Sequence, residues 1–257
     1  DYVFVPALHR PDDPTAVAFI KSQAAKGATI VGICAGVLTL GEAGLLDGRQ
    51  ATTHWYVIDD LRRAHPTMQW ARDRRYVADR GVVTTTGVTA SVPVSLAIVE
   101  AIAGRARAEA LARELGVTDW SARHDSDAFN LGAGGVTTAL GNTLAFWGHQ
   151  TVGIPVSDGV DEIALALTAN AYAITYRSRA VAISPAARVT TRRGLHLVPD
   201  QARAEPLQIS APSDQLPVRA LDAALEDLTR RYGRDTSDFV ALLLEYPRPS
   251  PGPRPSP

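Results

Sequence analysis

The chain has 257 residues, of which 46% are hydrophobic, and its formal net charge is −1. That length can bury the core of one large α/β domain, with or without an appendage. The near-neutral charge leaves no basic stripe, so we expect no direct contact with nucleic acid. The single cysteine excludes an internal disulfide framework and a multi-cysteine zinc site.

The first residues, 1–6, have the composition of a strand and contain no methionine, so we expect that a preceding segment is absent from this sequence. A helix over 13–26 follows, capped by Asp12 or Asp13, with Pro14 at an early helical position. No apolar run approaches 18 residues and no basic, apolar leader is visible. We therefore expect a cytoplasmic protein with no membrane span.

Residues 29–38 (Thr-Ile-Val-Gly-Ile-Cys-Ala-Gly-Val-Leu) contain the cysteine, Cys34. A β-branched run that stops at small residues and opens into a Leu/Ala-rich stretch predicts a strand, a sharp turn and a helix, with Cys34 at the turn. The free N–H groups of a helix start favour thiolate over thiol, so we expect Cys34 to react near neutral pH. The alternative is a buried and inert cysteine.

His54 is expected to lie at the same edge of the sheet as Cys34. A helix over 35–46 descends about 18 Å at about 1.5 Å per residue, and a strand over 50–54 climbs about 16 Å at about 3.3 Å per residue. Cys34 and His54 are therefore predicted at the carboxyl edge of adjacent parallel strands, where open α/β sheets bind ligands. A thiol and an imidazole there could form a nucleophile and base pair.

Alternating strands and helices continue to residue 104 and predict an α/β fold with a doubly wound, mostly parallel sheet. The predicted elements are a helix over 57–65, strands over 76–78 and 82–86, and an apolar helix over 91–103. A helical connector over 105–150 follows, with helices over 105–115 and 136–147 around an irregular stretch, 119–130.

The remaining residues predict a second, smaller unit and an extension. The unit, 151–200, contains a strand over 151–156, a helix over 161–172, a strand over 180–183 and a hairpin over 189–197. The extension, 201–246, contains helices over 217–231 and 237–246, and the proline-rich residues 247–257 are expected to be disordered.

Four motifs of the first 104 residues are familiar: Ile33-Cys34-Ala35-Gly36, Ala-Gly-Leu-Leu-Asp-Gly at 43–48, Ala-Thr-Thr-His-Trp at 51–55 and Thr-Thr-Gly-Val-Thr-Ala at 85–90. They resemble the ThiJ/PfpI superfamily, and within it the branch of isonitrile hydratases and of the amidotransferase-like sensor domains of AraC-type regulators. The resemblance implies a class I glutamine amidotransferase-like fold, with a flavodoxin-like or Rossmann-like sheet flanked by helices.

The resemblance also implies roles for single residues. Cys34 would be the nucleophile and His54 the histidine beside it, while the backbone N–H groups of Ala35 and Ala7 would stabilise an oxyanion. The chain departs from the family's Pro-Gly-Gly at this point, because Pro6 is followed by Ala7 and Leu8.

Residues 151–200 resemble the amino-terminal half of the same family, so two explanations of the order remain. Either the tail completes the fold in a permuted sense, or the chain is the later part of a longer protein and the tail is a diverged half-repeat. In both cases we expect residues 151–200 to fill the vacant positions of the first sheet, because an uncovered parallel sheet would expose apolar faces and edge hydrogen-bonding groups.

The family's acidic residue lies five positions after a glycine, which in this tail is Ala164 rather than an acid. Asp161 and Glu162 are the nearest acids, and they either reach the site or stabilise the start of their helix. Thr86 and Trp55 are candidate pocket residues, although strand preference and core packing explain them equally well.

We expect no cofactor and no metal, because His124, Asp125 and Asp127 have no second histidine at ligand spacing. The leading interpretation is a cysteine-centred site that binds or converts a small amide, nitrile-like or carbonyl compound by hydratase or hydrolase chemistry. The alternative is a catalytically silent ligand- or redox-sensing domain. A homo-oligomer is expected in either case.

Overall fold

The computed structural model describes residues 1–130, 150–201, 207–211 and 215–247. The helices of this part of the chain are Pro14–Ala25 (α1), Gly36–Glu42 (α2), Ile58–Ala64 (α3), Ser91–Ala103 (α4), Arg105–Leu115 (α5), Glu162–Ala173 (α6), Ala220–Tyr232 (α7) and Arg234–Leu244 (α8). Its strands are Tyr2–Val5 (β1), Thr29–Gly32 (β2), Gln50–Ala51 (β3), Gln69–Trp70 (β4), Tyr76–Asp79 (β5), Val82–Thr85 (β6), Gln150–Pro155 (β7), Ser178–Ser184 (β8), Val189–Thr190 (β9), His196–Leu197 (β10), Asp200–Gln201 (β11) and Leu207–Gln208 (β12).

The described residues divide into two units. The first unit contains residues 1–111, 118–130 and 244–246, and the second contains the remaining described residues. Residues 244–246 thus belong to the first unit, although they lie more than a hundred residues further along the chain. The predicted helix over 136–147 lies outside the described residues, as does the predicted disordered tail beyond residue 247.

The sheet of the first unit has the order β1-β2-β6-β5, in which β1, β2 and β6 are parallel and β5 is antiparallel to β6. Ile30 and Val31 of β2 are fully buried on opposite faces. Ile30 packs in a cluster with residues of α1, α2 and α3, whereas Val31 packs against Val94 of α4. Helices therefore cover both faces, and the prediction of a doubly wound α/β fold is confirmed.

The first helix begins as its sequence predicts. Asp13, rather than Asp12, is the capping residue: its Oδ1 accepts the backbone N–H groups of Thr15 and Ala16 at 3.0 Å each, and Pro14 is the first helical residue. The helix predicted over 35–46 is shorter than expected, since α2 ends at Glu42.

The strand predicted over 50–54 was wrong in length and in neighbour. Only Gln50–Ala51 is a strand, and it pairs with β4 in a separate two-stranded sheet, while β2 lies between β1 and β6. The strand ends at Ala51, because the backbone N–H of Thr52 donates to the side-chain Oγ1 of Thr84 in β6 at 2.9 Å and not to a backbone carbonyl. A short 3-10 turn, Trp55–Val57, then begins directly after His54.

The second unit has a parallel sheet of its own, with the order β11-β8-β7-β12. Ile154 of β7 is fully buried, as are Leu225 and Leu228 of α7, and the predicted hairpin is present as the antiparallel pair β9 and β10. Among the described residues, β7 and β8 pair with each other and with β11 and β12. The expectation that residues 151–200 would fill the vacant positions of the first sheet was therefore wrong.

No helix in the described part of the chain has both the length and the apolar character that crossing a bilayer requires.

Candidate active site

Cys34 lies at a strained turn directly after β2. Its φ is 55°, in the left-handed region that costs an ordinary residue about 1–2 kcal/mol. The backbone is held there from two sides, because the Cys34 N–H donates to Thr85 Oγ1 at 3.1 Å and the Thr53 hydroxyl donates to the Cys34 carbonyl at 3.0 Å. This geometry is typical of a nucleophile elbow.

The turn also depends on a close approach to the end of β1. A Cβ atom on Gly36 would lie 2.2 Å from the carbonyl oxygen of Val5 and 2.7 Å from that of Pro6. Only glycine fits at such distances. Ala7, the second predicted oxyanion donor, follows Pro6 directly and is exposed.

The Cys34 thiol is protonated near neutral pH. Burial raises its pKa from 9.0 to about 11; a hydrogen bond from the Ala35 N–H acts against this rise, and the charge of Glu245 adds to it. The expectation of a thiolate near neutral pH was therefore wrong, because desolvation outweighs the N–H groups at the start of a seven-residue helix. The Ala35 N–H contacts the sulfur, and its role as an oxyanion donor stays a prediction.

His54 is buried, with 7% of its surface exposed, and its orientation is fixed. Its Nδ1 accepts the backbone N–H of Tyr56 at 3.2 Å, which leaves Nε2 as the ring nitrogen that carries hydrogen in the neutral form. The ring lies 5.2 Å from that of Trp55. Since Thr53 bonds to the Cys34 carbonyl, the histidine directly after it belongs to the surroundings of the elbow.

Glu245, which the sequence patterns did not indicate, places a carboxylate beside His54 and Trp55. Its Oε1 accepts the backbone N–H of Trp55 at 3.0 Å and lies 4.0 Å from His54 Nε2. Its Oε2 lies 3.4 Å from His124 Nε2 and is buried without a hydrogen-bond partner. Only 3% of the residue is exposed. The carboxylate thus meets two histidine rings and one backbone N–H in a site that is almost closed to solvent.

The backbone around Glu245 is fixed as firmly as its side chain. Its φ is 53°, and its carbonyl accepts the hydroxyl of Thr89 at 2.8 Å. A Cβ atom on Gly87 would lie 2.8 Å from Glu245 Cβ, so the glycine of the Thr-Thr-Gly motif leaves room for this residue. Local sequence patterns do not predict the contact between Trp55 and Glu245, because the two residues are 190 positions apart.

His124 is the second histidine beside the carboxylate. Its ring stacks on Phe129 at 5.2 Å, and 11% of its side chain is exposed. Burial lowers the pKa of His124, although the charge of Glu245 opposes this effect. From its sequence surroundings His124 is a candidate only for metal binding, and the described residues contain no group of three or more His, Cys, Asp or Glu residues that could hold a metal ion.

The two predicted pocket residues have different surroundings. Trp55 is half-buried and contacts both His54 and Glu245. Thr86 is buried, but its N–H and its hydroxyl both donate to the Arg75 carbonyl, at 2.9 and 3.4 Å. The threonine that bonds to the elbow is its neighbour, Thr85, which the sequence analysis did not single out.

The two candidate acids of the tail are engaged within the second unit. Asp161 Oδ1 accepts the N–H groups of Ile163 and Ala164 at the start of α6, and Arg193 binds both Asp161 and Glu162. Capping of a helix and an ion pair therefore explain both carboxylates.

Comparison with known proteins supports the resemblance over the part of the chain that carries the elbow. Residues 7–101 match the model of the DJ-1/PfpI family. The isonitrile hydratase of Pseudomonas putida is 37% identical over 94 residues, which are 36% of this chain and 40% of that protein. The HTH-type transcriptional regulator CdhR of Pseudomonas aeruginosa is 34% identical over 102 residues, which are 38% of this chain and 30% of that protein.

A solved ThiJ/PfpI family protein from Pseudomonas syringae is 33% identical over 40% of this chain and 41% of its own, with a TM-score of 0.37. The chain thus spans less than half the length of the curated relatives it matches. The resemblance predicted from the four motifs is confirmed, and the segment that carries the elbow matches the DJ-1/PfpI family.

Proposed function

We propose that the first unit contains a cysteine-centred site for a small compound with a polarised carbon atom: an isonitrile, an amide or a carbonyl compound. The observation that carries the proposal is the meeting of three groups at the elbow. The Cys34 sulfur accepts the Ala35 N–H, and the buried carboxylate of Glu245 acts on the same sulfur. A nucleophile, a hydrogen-bond donor and a proton acceptor are the groups that addition to such a carbon requires.

The protonated thiol suits hydration of an isonitrile. The S–H proton passes by way of Glu245 to the terminal carbon of the isonitrile, the sulfur bonds to the same carbon, and a thioimidate forms. Water then adds to that carbon and the C–S bond breaks. The sulfur regains a proton and an N-substituted formamide leaves. His54 and His124, both beside Glu245, assist the proton transfers.

The test uses the purified chain with an aliphatic isonitrile, an aliphatic amide and an aldehyde, and follows products by NMR. We expect formamide from the isonitrile, no product from Cys34→Ser, and at least a ~100-fold slower reaction from Glu245→Gln, because general acid–base catalysis contributes about 10²–10⁴-fold. Glu42→Gln removes an exposed carboxylate of the same unit and serves as the control. Equal turnover by the wild type and Cys34→Ser contradicts the proposal.

A second candidate is a ligand sensor without turnover. It is favoured by the raised pKa of Cys34, which slows nucleophilic attack, and by Ala164 where the family has an acid. Saturable binding of the same three compounds without product formation supports it over the enzyme. We also propose a homo-oligomer, which light scattering tests.

A further inference from the structure

A cavity of about 340 Å³ lies in the second unit, at the amino ends of two parallel strands. Gln150 is the first residue of β7 and Ser178 the first of β8. Open parallel sheets usually bind their ligands at the opposite, carboxyl ends. The cavity therefore needs an explanation of its own. Its described lining residues are Gln150, Thr151, Tyr176, Arg177, Ser178 and Arg179.

The charge of this lining is unbalanced. It contains two guanidinium groups, on Arg177 and Arg179, and no carboxylate among the described residues. The Nε atom of Arg177 is buried and has no hydrogen-bond partner. A buried donor without an acceptor is destabilising, because it has lost its hydrogen bonds to water. An anion in the cavity would remove that destabilisation and balance the positive charge.

The donors are held in place by one aromatic residue of α7. The Arg177 guanidinium stacks over the ring of Tyr232, with its Cζ 5.0 Å from the ring centroid, and Gln150 Nε2 donates to the Tyr232 hydroxyl. Two side chains of the lining are thus oriented before any ligand arrives. Such preorganisation lowers the entropy cost of binding.

At the rim, the ring of Tyr176 is half exposed. Tyr176 has a φ of 58°, and 51% of its surface is exposed. Its ring centroid lies 6.0 Å from that of Phe239, which holds one side of the ring and leaves the rest open. An exposed tyrosine beside cationic donors can contact the apolar part of a ligand whose charged end enters the cavity.

We infer that this cavity binds the phosphate group of a small phosphorylated compound. Two guanidinium groups match the dianion of a phosphate monoester in charge, and their planar forks match its oxygens in geometry. The hydroxyl of Thr151 adds a group that suits a tetrahedral anion, whereas the Ser178 hydroxyl donates to the Tyr172 carbonyl at 2.8 Å. A volume of about 340 Å³ is at the small end of ligand pockets, so the compound is small.

The experiment titrates the full chain with phenyl phosphate, inorganic phosphate and benzoate at constant ionic strength, by calorimetry. We expect saturable binding of phenyl phosphate, weaker binding of inorganic phosphate because it has no ring for Tyr176, and binding of benzoate weaker by about tenfold or more, because it has one charge instead of two. Arg179→Gln, a change at an exposed position, should weaken phenyl phosphate by about tenfold or more. Arg177→Lys should weaken it as well, because the charge stays but the fork is lost.

Arg188→Gln is the matched control, since it removes the same charge from an exposed residue of the same unit outside the cavity lining. It should leave the affinity unchanged. Equal affinities of the wild type and Arg179→Gln overturn the inference, and so does equal weakening by Arg188→Gln, which indicates nonspecific attraction. Benzoate binding as tightly as phenyl phosphate overturns the phosphate preference. Absence of saturable binding by all three anions overturns the site.

Discussion

At the scale of single residues, the surroundings of Cys34 act in opposite directions. The Ala35 N–H stabilises a negative sulfur, whereas burial and the carboxylate of Glu245 destabilise it, and the balance is a pKa of about 11. The effect of the Ala35 N–H could be predicted from the sequence, because a helix start follows Cys34 directly. Burial of the sulfur and the charge of Glu245 could not be predicted, since they arise from contacts with residues that are distant along the chain.

Replacement of Glu245 by glutamine should lower the pKa of Cys34. The amide removes the negative charge that raises this pKa but keeps an oxygen that can accept the Trp55 N–H. Burial remains, so the pKa should fall below about 11 and stay above 9.0. The rate of iodoacetamide labelling as a function of pH measures it. Glu42→Gln should leave the profile unchanged, and an unchanged or raised pKa in Glu245→Gln contradicts the prediction.

The same pKa predicts how stability depends on pH. The folded state binds the Cys34 proton more tightly than the unfolded chain, whose pKa is 9.0. The contribution of this proton to the unfolding free energy is therefore fully present below pH 9.0 and is lost as the pH rises towards 11. The wild type should therefore lose about 2 kcal/mol more unfolding free energy over this range than Cys34→Ser does, which lacks the thiol. Urea unfolding of both proteins across these pH values measures the difference, and parallel losses contradict it.

At the scale of elements, the elbow is produced by two strand ends and one helix start. The backbone of Cys34 is bonded to Thr85 at the end of β6 and to Thr53 after β3, while Gly36 packs against the end of β1. Each of these segments could be predicted from its sequence pattern. The hydrogen bonds between these segments could not be predicted, because they run through the side-chain hydroxyls of Thr85 and Thr53 and not through backbone pairing of strands.

Gly36→Ala should destabilise the first unit strongly. The new Cβ would lie 2.2 Å from the Val5 carbonyl oxygen, and both backbones would have to move. Overpacking of this kind typically lowers the unfolding free energy by about 1–3 kcal/mol. We expect a value at the upper end, because the clashing atoms belong to the backbone and cannot move away as a side chain can. Gly48→Ala is the control: its Cβ meets open space, and its φ of 62° accounts for about 1–2 kcal/mol. Denaturant unfolding measures both, and a smaller loss for Gly36→Ala contradicts the prediction.

At the scale of the whole chain, local patterns were sufficient where an element is defined by its own residues. The cap of α1, the alternation of strands and helices around the first sheet and the β9–β10 hairpin follow from spacing and residue type. The position of Glu245 beside His54 did not follow, because Glu245 comes directly after a helix whose sequence has only an ordinary amphipathic pattern. The resemblance implies an acid near Ala164, whereas the carboxylate found beside His54 belongs to Glu245.

The contribution of residues 244–246 can be tested by two truncations. A chain that ends after residue 243 loses Glu245 together with its bonds to Trp55 and Thr89, whereas one that ends after residue 247 keeps them. At a fixed pH below 9.0, the shorter chain should label with iodoacetamide faster than Glu245→Gln does, because Cys34 loses a negative neighbour and some of the packing around the site as well. The longer chain should label at the wild-type rate. Equal rates for both truncations would mean that Glu245 does not govern the reactivity of Cys34.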